Sequence, residues 1–592
     1  MKTTRLPVVL LMAGSLLAQS NPAASSPASK RRNAAADSSQ PAGVLADEVK
    51  ELRDRLDAQQ QRIQALTQQL QSRDSAIEHL QQQMATFQAT ATQAAANADP
   101  PPAAELNALK SDVSDLKMNA TNIALSVQEE QKRVNEMVES PLALHYKGVS
   151  ITPGGFLAAE SVWRQHATAS DVNTPFNSIP FAGADASHLT EWFGSGRQSR
   201  VSLLAEGKIK SAKLSGYWEM DWLSAGLTSN NNQSNSYANR QRQLWGQAAL
   251  NSGWTFTGGQ MWSLVTETKK GLDPRSEALP MTIDAQYQVG FSWARQFGFR
   301  VTKNFHDKVW LGFSVENAQT LNLGGGGFPA NFVVGSGGTG GGLYNSGANY
   351  SFNYTPDFIV KAAFEPGFGH YEVFGIISNF RDRVYPNATA TPASSVGAFN
   401  DVRTGGGVGA NARWSGLQKH LDVGIHFLGG DGVGRYGTST LPDVTAHPDG
   451  TLAMIHSYQA LGTLEWHSRH WDIYSNAGGE YAARTIYLNA TGAQVGFGRT
   501  TGANANCLVE PVPTVPTTGA TGFSPASSGC PDTRNLIEGT LGFWYKPYAG
   551  PKGRIQFGPQ YSYVVKNTWA NTTGDPHAVE NMFFTSFRYY LP

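Results

Sequence analysis

Two hydrophobic periods divide this chain. Between positions 44 and 87 apolar residues recur at alternating steps of four and three, at Leu45, Val49, Leu52, Leu56, Ile63, Leu66, Leu70, Ile77, Leu80, Met84 and Phe87. That spacing is the seam of a coiled coil about six heptads long, with Gln59 and Arg73 in its two polar core positions. An Ala-rich stretch at 88–103, holding Pro100, Pro101 and Pro102, interrupts the seam as a hinge. A second run follows over 104–139, at Leu106, Leu109, Val113, Leu116, Ala120, Ile123, Val127, Val134 and Met137. Branched apolar residues at both core sets, with two polar core positions, suit a homotrimer. The alternative is a single amphipathic helix lying on its own chain, which the narrow seam and Gln-rich outer faces disfavour.

From Leu144 the period becomes two, the clearest boundary in the chain. Val201, Leu203, Ala205, Gly207 and Ile209 alternate with Arg200, Ser202, Glu206 and Lys208, Leu204 breaking the polar face. Val309, Leu311, Phe313 and Val315 oppose Trp310, Gly312, Ser314 and Glu316, and Ile537, Gly539, Leu541, Phe543 and Tyr545 oppose Glu538, Thr540, Gly542 and Trp544. Strands are expected near 153–163, 198–209, 213–223, 240–250, 254–264, 288–302, 308–318, 353–365, 370–380, 407–416, 420–428, 456–467, 471–483, 534–546, 553–565 and 578–591. Most are long enough to cross a bilayer at a tilt, whereas a soluble sandwich uses shorter ones. Short linkers such as Asn251-Ser252-Gly253 and Ser468-Arg469-His470 alternate with long loops rich in Gly, Asn, Ser and Thr. The fold class this predicts is an all-β transmembrane antiparallel β-barrel of about 16 strands over 144–592, preceded by an α-helical coiled coil. The parity of the linkers puts both chain ends on the periplasmic side. Trp254, Trp262, Trp293, Tyr545, Tyr548, Tyr589 and Tyr590 fall near strand ends, as interfacial girdles require.

Composition agrees with that division. Charged residues are only 16% of the 592, aromatics 10%, and Gly numbers 62. Lys+Arg and Asp+Glu are both 46, so the chain lacks the basic excess needed to coat nucleic acid. Lys2 and Arg5 precede an apolar run from Leu6 to Leu17, which reads as an export signal over 1–20, with a flexible Ala/Ser/Pro linker over 21–43. Export places Cys507 and Cys530, both expected in one external loop, where they can pair as a disulfide.

The barrel segment also resembles the outer-membrane porins, most of all those related to the phosphate-selective porins O and P. The resemblance rests on Tyr146-Lys147-Gly148-Val149 leading to Pro153-Gly154-Gly155-Phe156, then Ser199-Arg200-Val201 through Glu206-Gly207-Lys208, and Tyr217-Trp218-Glu219-Met220-Asp221. Trp254-Thr255-Phe256-Thr257-Gly258-Gly259-Gln260 resembles the strand that leads such barrels into an inward loop. It covers the first five strands best and implies a trimeric channel in outer-membrane lipid, passing small polar solutes or ions, with anions such as phosphate included. Such porins commonly end in Phe, whereas Leu591-Pro592 stand here, and no dense ladder of lumen arginines is evident.

Alternation nominates the inward side chains. Pore-lining candidates are the cations Arg200, Lys208, Arg300, Lys361 and Arg554 and the anions Glu206, Glu219, Asp221, Glu316, Glu372, Asp422, Glu465 and Glu538. Their mixed signs suggest a transverse field rather than a filter of one sign, or else ion pairs that hold the wall in shape. The loop of about 265–287 follows the fifth strand and is the candidate constriction, through Glu267, Lys269, Lys270, Asp273, Arg275, Glu277 and Asp284; it could equally stay outside. His166, His188, His420, His426, His456, His467 and His470 are scattered without ligand spacing, and Gly324–Gly327 lacks the Lys and helix of a phosphate loop. No catalytic residue, cofactor or metal is therefore expected. A different class of function remains open: a tether to the cell wall through the coiled coil, or an adhesin, with the barrel as an anchor.

Overall fold

The computed structural model describes residues 143–223, 238–318, 323–334, 353–501, 505–510, 512, 530–572 and 574–592. The expected export signal, linker, hinge and coiled-coil segments lie outside the described residues. Those that are described all fall in one compact unit, Lys132–Pro592.

They form one antiparallel sheet of 19 strands, three of them short (Leu144–Tyr146, Glu191–Ser195 and Phe332–Val333). The other 16 make a closed wall. In chain order these are β1 (Val149–Arg164), β2 (Arg200–Ile209), β3 (Ala212–Asp221), β4 (Arg240–Leu250), β5 (Trp254–Trp262), β6 (Arg295–Phe305), β7 (Val309–Glu316) and β8 (Asp357–Phe364). They continue as β9 (His370–Val384), β10 (Phe399–Gly416), β11 (Leu421–Asp431), β12 (His456–His467), β13 (Trp471–Ala482), β14 (Thr533–Gly550), β15 (Gly553–Thr568) and β16 (His577–Tyr590). Each pairs with the next, and β1 closes on β16 in the register Phe156↔Tyr590 through Arg164↔Met582. Closure leaves no strand edge unpaired, the condition for crossing hydrocarbon. Among the described residues no helix is long and apolar enough to cross a membrane.

Alternation sorts the side chains as expected. Leu157, Phe256, Phe299, Leu311, Val360, Ile377, Ile425, Ile473, Leu541 and Phe587 stand exposed on the outside, while Glu160, Arg242, Arg300, Glu316, Lys361, Glu480, Glu538 and Arg588 are buried within. An apolar exterior over a polar interior is the reverse of a soluble protein and the signature of a transmembrane barrel. Short turns and long loops alternate strictly. Between β6 and β7, His306 and Asp307 both take φ of 55°, the left-handed pair of a type I′ hairpin.

Several expectations need correction. The segment 288–294 is loop rather than strand, because Val289 and Gly290 bond to side chains of the opposite wall, and β6 begins at Arg295. Strand β10 begins at Phe399, eight residues before the alternation becomes legible, since Gly405, Gly406 and Gly407 carry no side chain to alternate. Trp262 and Trp293 are not girdle residues: Trp262 is buried and stacks edge-on against Trp293 and Tyr287 inside the barrel. Tyr590 also faces in, under Arg554. Trp254 and Tyr548 do stand on the outer surface. Leu204, the exception to its polar face, packs inside with Tyr217, Trp245 and Met261.

Candidate functional site

The loop 263–294, between β5 and β6, folds into the barrel and divides it. Its first half is held to the near wall by side chains that take its backbone. Leu264 N–H donates to Glu316 Oε1 at 2.8 Å, Lys361 Nζ donates to Thr266 O at 2.8 Å, and Arg300 Nη1 donates to Leu272 O at 3.3 Å. Thr268 donates through both its N–H and its hydroxyl to Glu372 Oε1, at 3.0 and 2.6 Å. The second half crosses to the far wall. Met281 N–H donates to Glu465 Oε1 at 3.2 Å, Val289 N–H to Glu538 Oε2 at 2.8 Å, and Gly290 N–H to Glu480 Oε1 at 2.9 Å. Backbone approaches wall most closely at Gly290 and Gly478, where an added Cβ would run into Ala460 O and Val289 O respectively. Only glycine permits that contact, and Gly290 also needs its φ of +91°.

A second loop, 432–455, folds over the same side. Ser439 N–H shares the Glu480 carboxylate, Trp293 Nε1 donates to Thr438 Oγ1 at 3.1 Å, and Tyr436 OH donates to Asp357 Oδ2 at 2.6 Å. Leu264, Leu272, Trp310, Ile359, Phe374, Leu428, Val433 and Tyr436 then pack as an apolar core inside the barrel. From the long-loop end, Phe176, Ile179 and Phe181 of the loop 165–199 pack with Leu441, Phe497 and disulfide-bonded Cys507, whose partner is Cys530. Loops and wall together therefore fill part of the interior with packed protein.

Beside the loop lies a cavity of about 660 Å³. Barrel residues Phe156, Arg200, Glu219, Arg242, Trp544, Lys546, Arg554, Arg588 and Tyr590 line it opposite the loop segment Leu279–Thr282, Asp284, Ala285 and Tyr287. Arginines and rings interleave on the wall. The guanidinium carbons of Arg200 and Arg588 lie 5.2 and 5.0 Å from the Phe156 centroid; Arg588 also covers Trp544 at 4.8 Å, and Arg554 covers Tyr590 at 4.1 Å. Stacking holds each cation rigid while leaving its edge for other partners. Arg588 is partly neutralised, its Nη2 donating to Glu160 Oε1 at 2.6 Å and to Gln198 Oε1 at 3.0 Å. Arg242 donates to Glu219 Oε1 at 2.6 Å, to Asp221 Oδ2 at 2.7 Å and to Tyr287 OH at 3.2 Å, tying wall to loop. Arg200 Nε is 3.8 Å from Glu219, too far for a hydrogen bond.

The sequence candidates separate into groups. Arg200, Glu219 and Arg554 line the cavity, with Asp221 buried behind Arg242. Arg300, Glu316, Lys361, Glu372 and Glu538 do not face water but hold the loop backbone. Glu206 pairs with Lys213 at 2.7 Å, and Lys208 is exposed near the short-turn end of β2. Within the loop, Lys269, Lys270, Asp273 and Arg275 are exposed and Glu277 half-buried. Arg275 covers Tyr217 at 4.9 Å. Glu267 is buried against Arg413 and His426, at 3.4 and 3.2 Å, and burial pushes its carboxyl up to about 7. Asp284 is also buried and accepts the N–H of Thr174 and Gln286. The loop thus meets the cavity with Leu279–Tyr287 rather than with its more charged first half.

Arg242, Arg588, Glu160, Gln198 and Glu480 went unnoticed in the sequence. Strand parity alone marks Arg242, Glu480 and Arg588 as inward. Gln198 shares the parity of Arg200 in the expected strand 198–209, but the strand begins at Arg200, and Gln198 lies just before it, where Ser199 Oγ accepts the Ala158 N–H.

The chain is thus a closed antiparallel barrel with an apolar outer face and a polar interior narrowed by a loop. No protein-family model matches the chain, and no curated protein matches it in sequence. Among solved structures it is similar to the outer membrane channel DcaP of Acinetobacter baumannii, at 12% identity and a TM-score of 0.49, over 76% of this chain and 99% of that one. It is also similar to OprB of Pseudomonas putida (11% identity, TM-score 0.39, 74% and 94% of the two chains). A third likeness is to an anion-selective porin from Comamonas acidovorans (9% identity, TM-score 0.37, 75% and 100%).

Proposed function

We propose that this protein is an outer-membrane porin, a passive diffusion channel for small hydrophilic solutes and ions that favours anions such as phosphate. The observation that carries the reading is the cavity beside the inward loop, whose wall presents Arg200, Arg242, Arg554, Arg588 and Lys546 against Glu219, Asp472 and Asp284. Cations backed by aromatic rings in a narrow passage attract anions, and the carboxylates beside Arg242 and Arg588 keep that hold weak enough for release. The loop 263–294 is the constriction in this reading, and Leu279–Tyr287 is its narrow face. We further propose a homotrimer joined through the heptads of 44–87 and 104–139, which extend into the periplasm and reach toward the cell wall.

Reconstitution of the full chain into planar bilayers tests the reading. Stepwise conductance with a reversal potential on the anion side in a salt gradient is the expected result. Arg200→Ala and Arg554→Ala should each move that potential toward zero. A barrel that inserts but stays silent, or one that prefers cations, overturns the proposal. Mobility of unheated protein on a gel reads the trimer separately.

A further inference from the structure

The geometry points to a divalent transition-metal site at the short-turn rim of the lumen, formed by His467 Nε2, Glu465 Oε2 and Asp422 Oδ2. We infer that it takes an ion of the Zn²⁺ class. The three residues are far apart in sequence terms only for Asp422; β-pairing brings them onto one face. Glu465 and His467 are two apart on β12, and Asp422 of β11 is the direct cross-strand partner of Glu465. Their donor atoms lie within 4.8 Å of one another.

Each carboxylate is used asymmetrically. Glu465 spends Oε1 on the Met281 N–H at 3.2 Å, and Asp422 spends Oδ1 on the Ser415 hydroxyl at 2.5 Å. The other oxygens turn toward His467 Nε2, at 3.5 Å for Asp422 Oδ2 and 3.6 Å for Glu465 Oε2. Those distances are too long for charge-assisted hydrogen bonds, which close to about 2.7–2.9 Å. They do match the edge of a tetrahedron: bonds of about 2.0–2.1 Å to a central ion set its ligand atoms about 3.3–3.4 Å apart. Arg413 Nη1 is 3.9 Å from Glu465 Oε2, and this guanidinium sits closer to Glu267, its Nε 3.4 Å from Glu267 Oε1.

The imidazole is also oriented for the task. Its Nδ1 is 3.0 Å from Asp472 Oδ1, which Lys546 Nζ holds at 2.7 Å. A carboxylate on Nδ1 fixes the tautomer that leaves the Nε2 lone pair toward Asp422 and Glu465, the usual outer support of a metal-bound histidine. One imidazole with two carboxylates favours Zn²⁺-like ions over Ca²⁺ or Mg²⁺, which prefer oxygen alone. A fourth position is open toward the cavity, which His467 and Asp472 help to line.

Calorimetric titration of the tag-free, detergent-solubilised full chain with Zn²⁺ tests this without requiring a conducting channel. About one ion should bind per chain, and Ca²⁺ should bind at least tenfold more weakly. His467→Ala and Asp422→Asn should each weaken Zn²⁺ at least tenfold, and Asp472→Asn, which touches no metal, by about 10–100-fold. Heat-modifiable gel mobility identifies which variants retain the folded barrel, and two independent ligand variants guard against one misfolding. His420→Ala with His470→Ala, on the nearby turns, should leave binding intact. The inference fails if the wild type shows no saturable binding up to millimolar Zn²⁺, if Ca²⁺ binds equally well, or if binding survives unweakened in folded His467→Ala.

Discussion

Glu480 is where two loops meet one wall residue, so its removal is a sharp test of how the interior is held. The side chain is 2% exposed on β13; Oε1 accepts the Gly290 N–H at 2.9 Å, and both oxygens accept the Ser439 N–H at 3.1 Å. In Glu480→Ala two backbone donors lose their acceptor. A buried donor left without a partner costs about 1–3 kcal/mol. Water entering from the cavity replaces part of that, so the low end applies, about 2–3 kcal/mol for both. At about 1.4 kcal/mol per tenfold, undocking of the loops 263–294 and 432–455 becomes roughly 30- to 150-fold more frequent. Glu480→Gln keeps one acceptor oxygen and should fall between. Limited proteolysis of folded protein reads the exposed loop as faster cleavage within 265–287, and single-channel recording reads it as added noise and excursions to higher conductance. Cleavage and noise at wild-type levels, in a Glu480→Ala barrel that still shows folded gel mobility, would refute the idea that this carboxylate seats the loops.

Other consequences follow from the same contacts. Gly478→Ala places a methyl group where the Val289 carbonyl lies, so the loop should lift from the far wall and proteolysis within it should accelerate as for Glu480→Ala, with the barrel itself still folded. Burial raises the Asp284 carboxyl from 3.8 to about 6, so the docked loop holds that proton more tightly than the free loop does. Its contribution is therefore full below 3.8 and lost as pH climbs through about 6. Asp284→Asn keeps an oxygen for Thr174 and Gln286 and should slow loop proteolysis relative to wild type at pH 7.5 but not at pH 4; a wild-type loop that tightens with rising pH contradicts this. Cys507→Ser removes a link between positions 23 apart, a loss of about 2–4 kcal/mol of loop constraint. Cleavage between 483 and 532 should rise while the thermal transition of the barrel stays put, and a lowered barrel transition would show that the link also supports the wall.

The wall was legible in the sequence because a strand reports its two faces every second residue. Leu311, Phe313 and Val315 against Trp310, Ser314 and Glu316 need no tertiary information to be sorted, and the alternation of short and long linkers follows from closing a barrel with its loops on one side. Legibility failed wherever that period was silent. Gly405–Gly407 carry no side chain, so the start of β10 was hidden, and the run Gln288–Trp293 is apolar enough to pass for strand although side chains of another wall hold it. The identity of inward residues could be read, but not their work: Glu316, Lys361 and Glu538 look like lumen charges in sequence, and only the packed structure reveals loop backbone sitting on them. His467 is the limiting case. It was one histidine among several scattered ones until β-register set Asp422 beside Glu465, two residues away on the same face. Periodicity is a property of neighbours along the chain and belongs to the sequence; which donor meets which acceptor across the lumen depends on closure, register and the path of a loop, and those are set by the whole barrel at once.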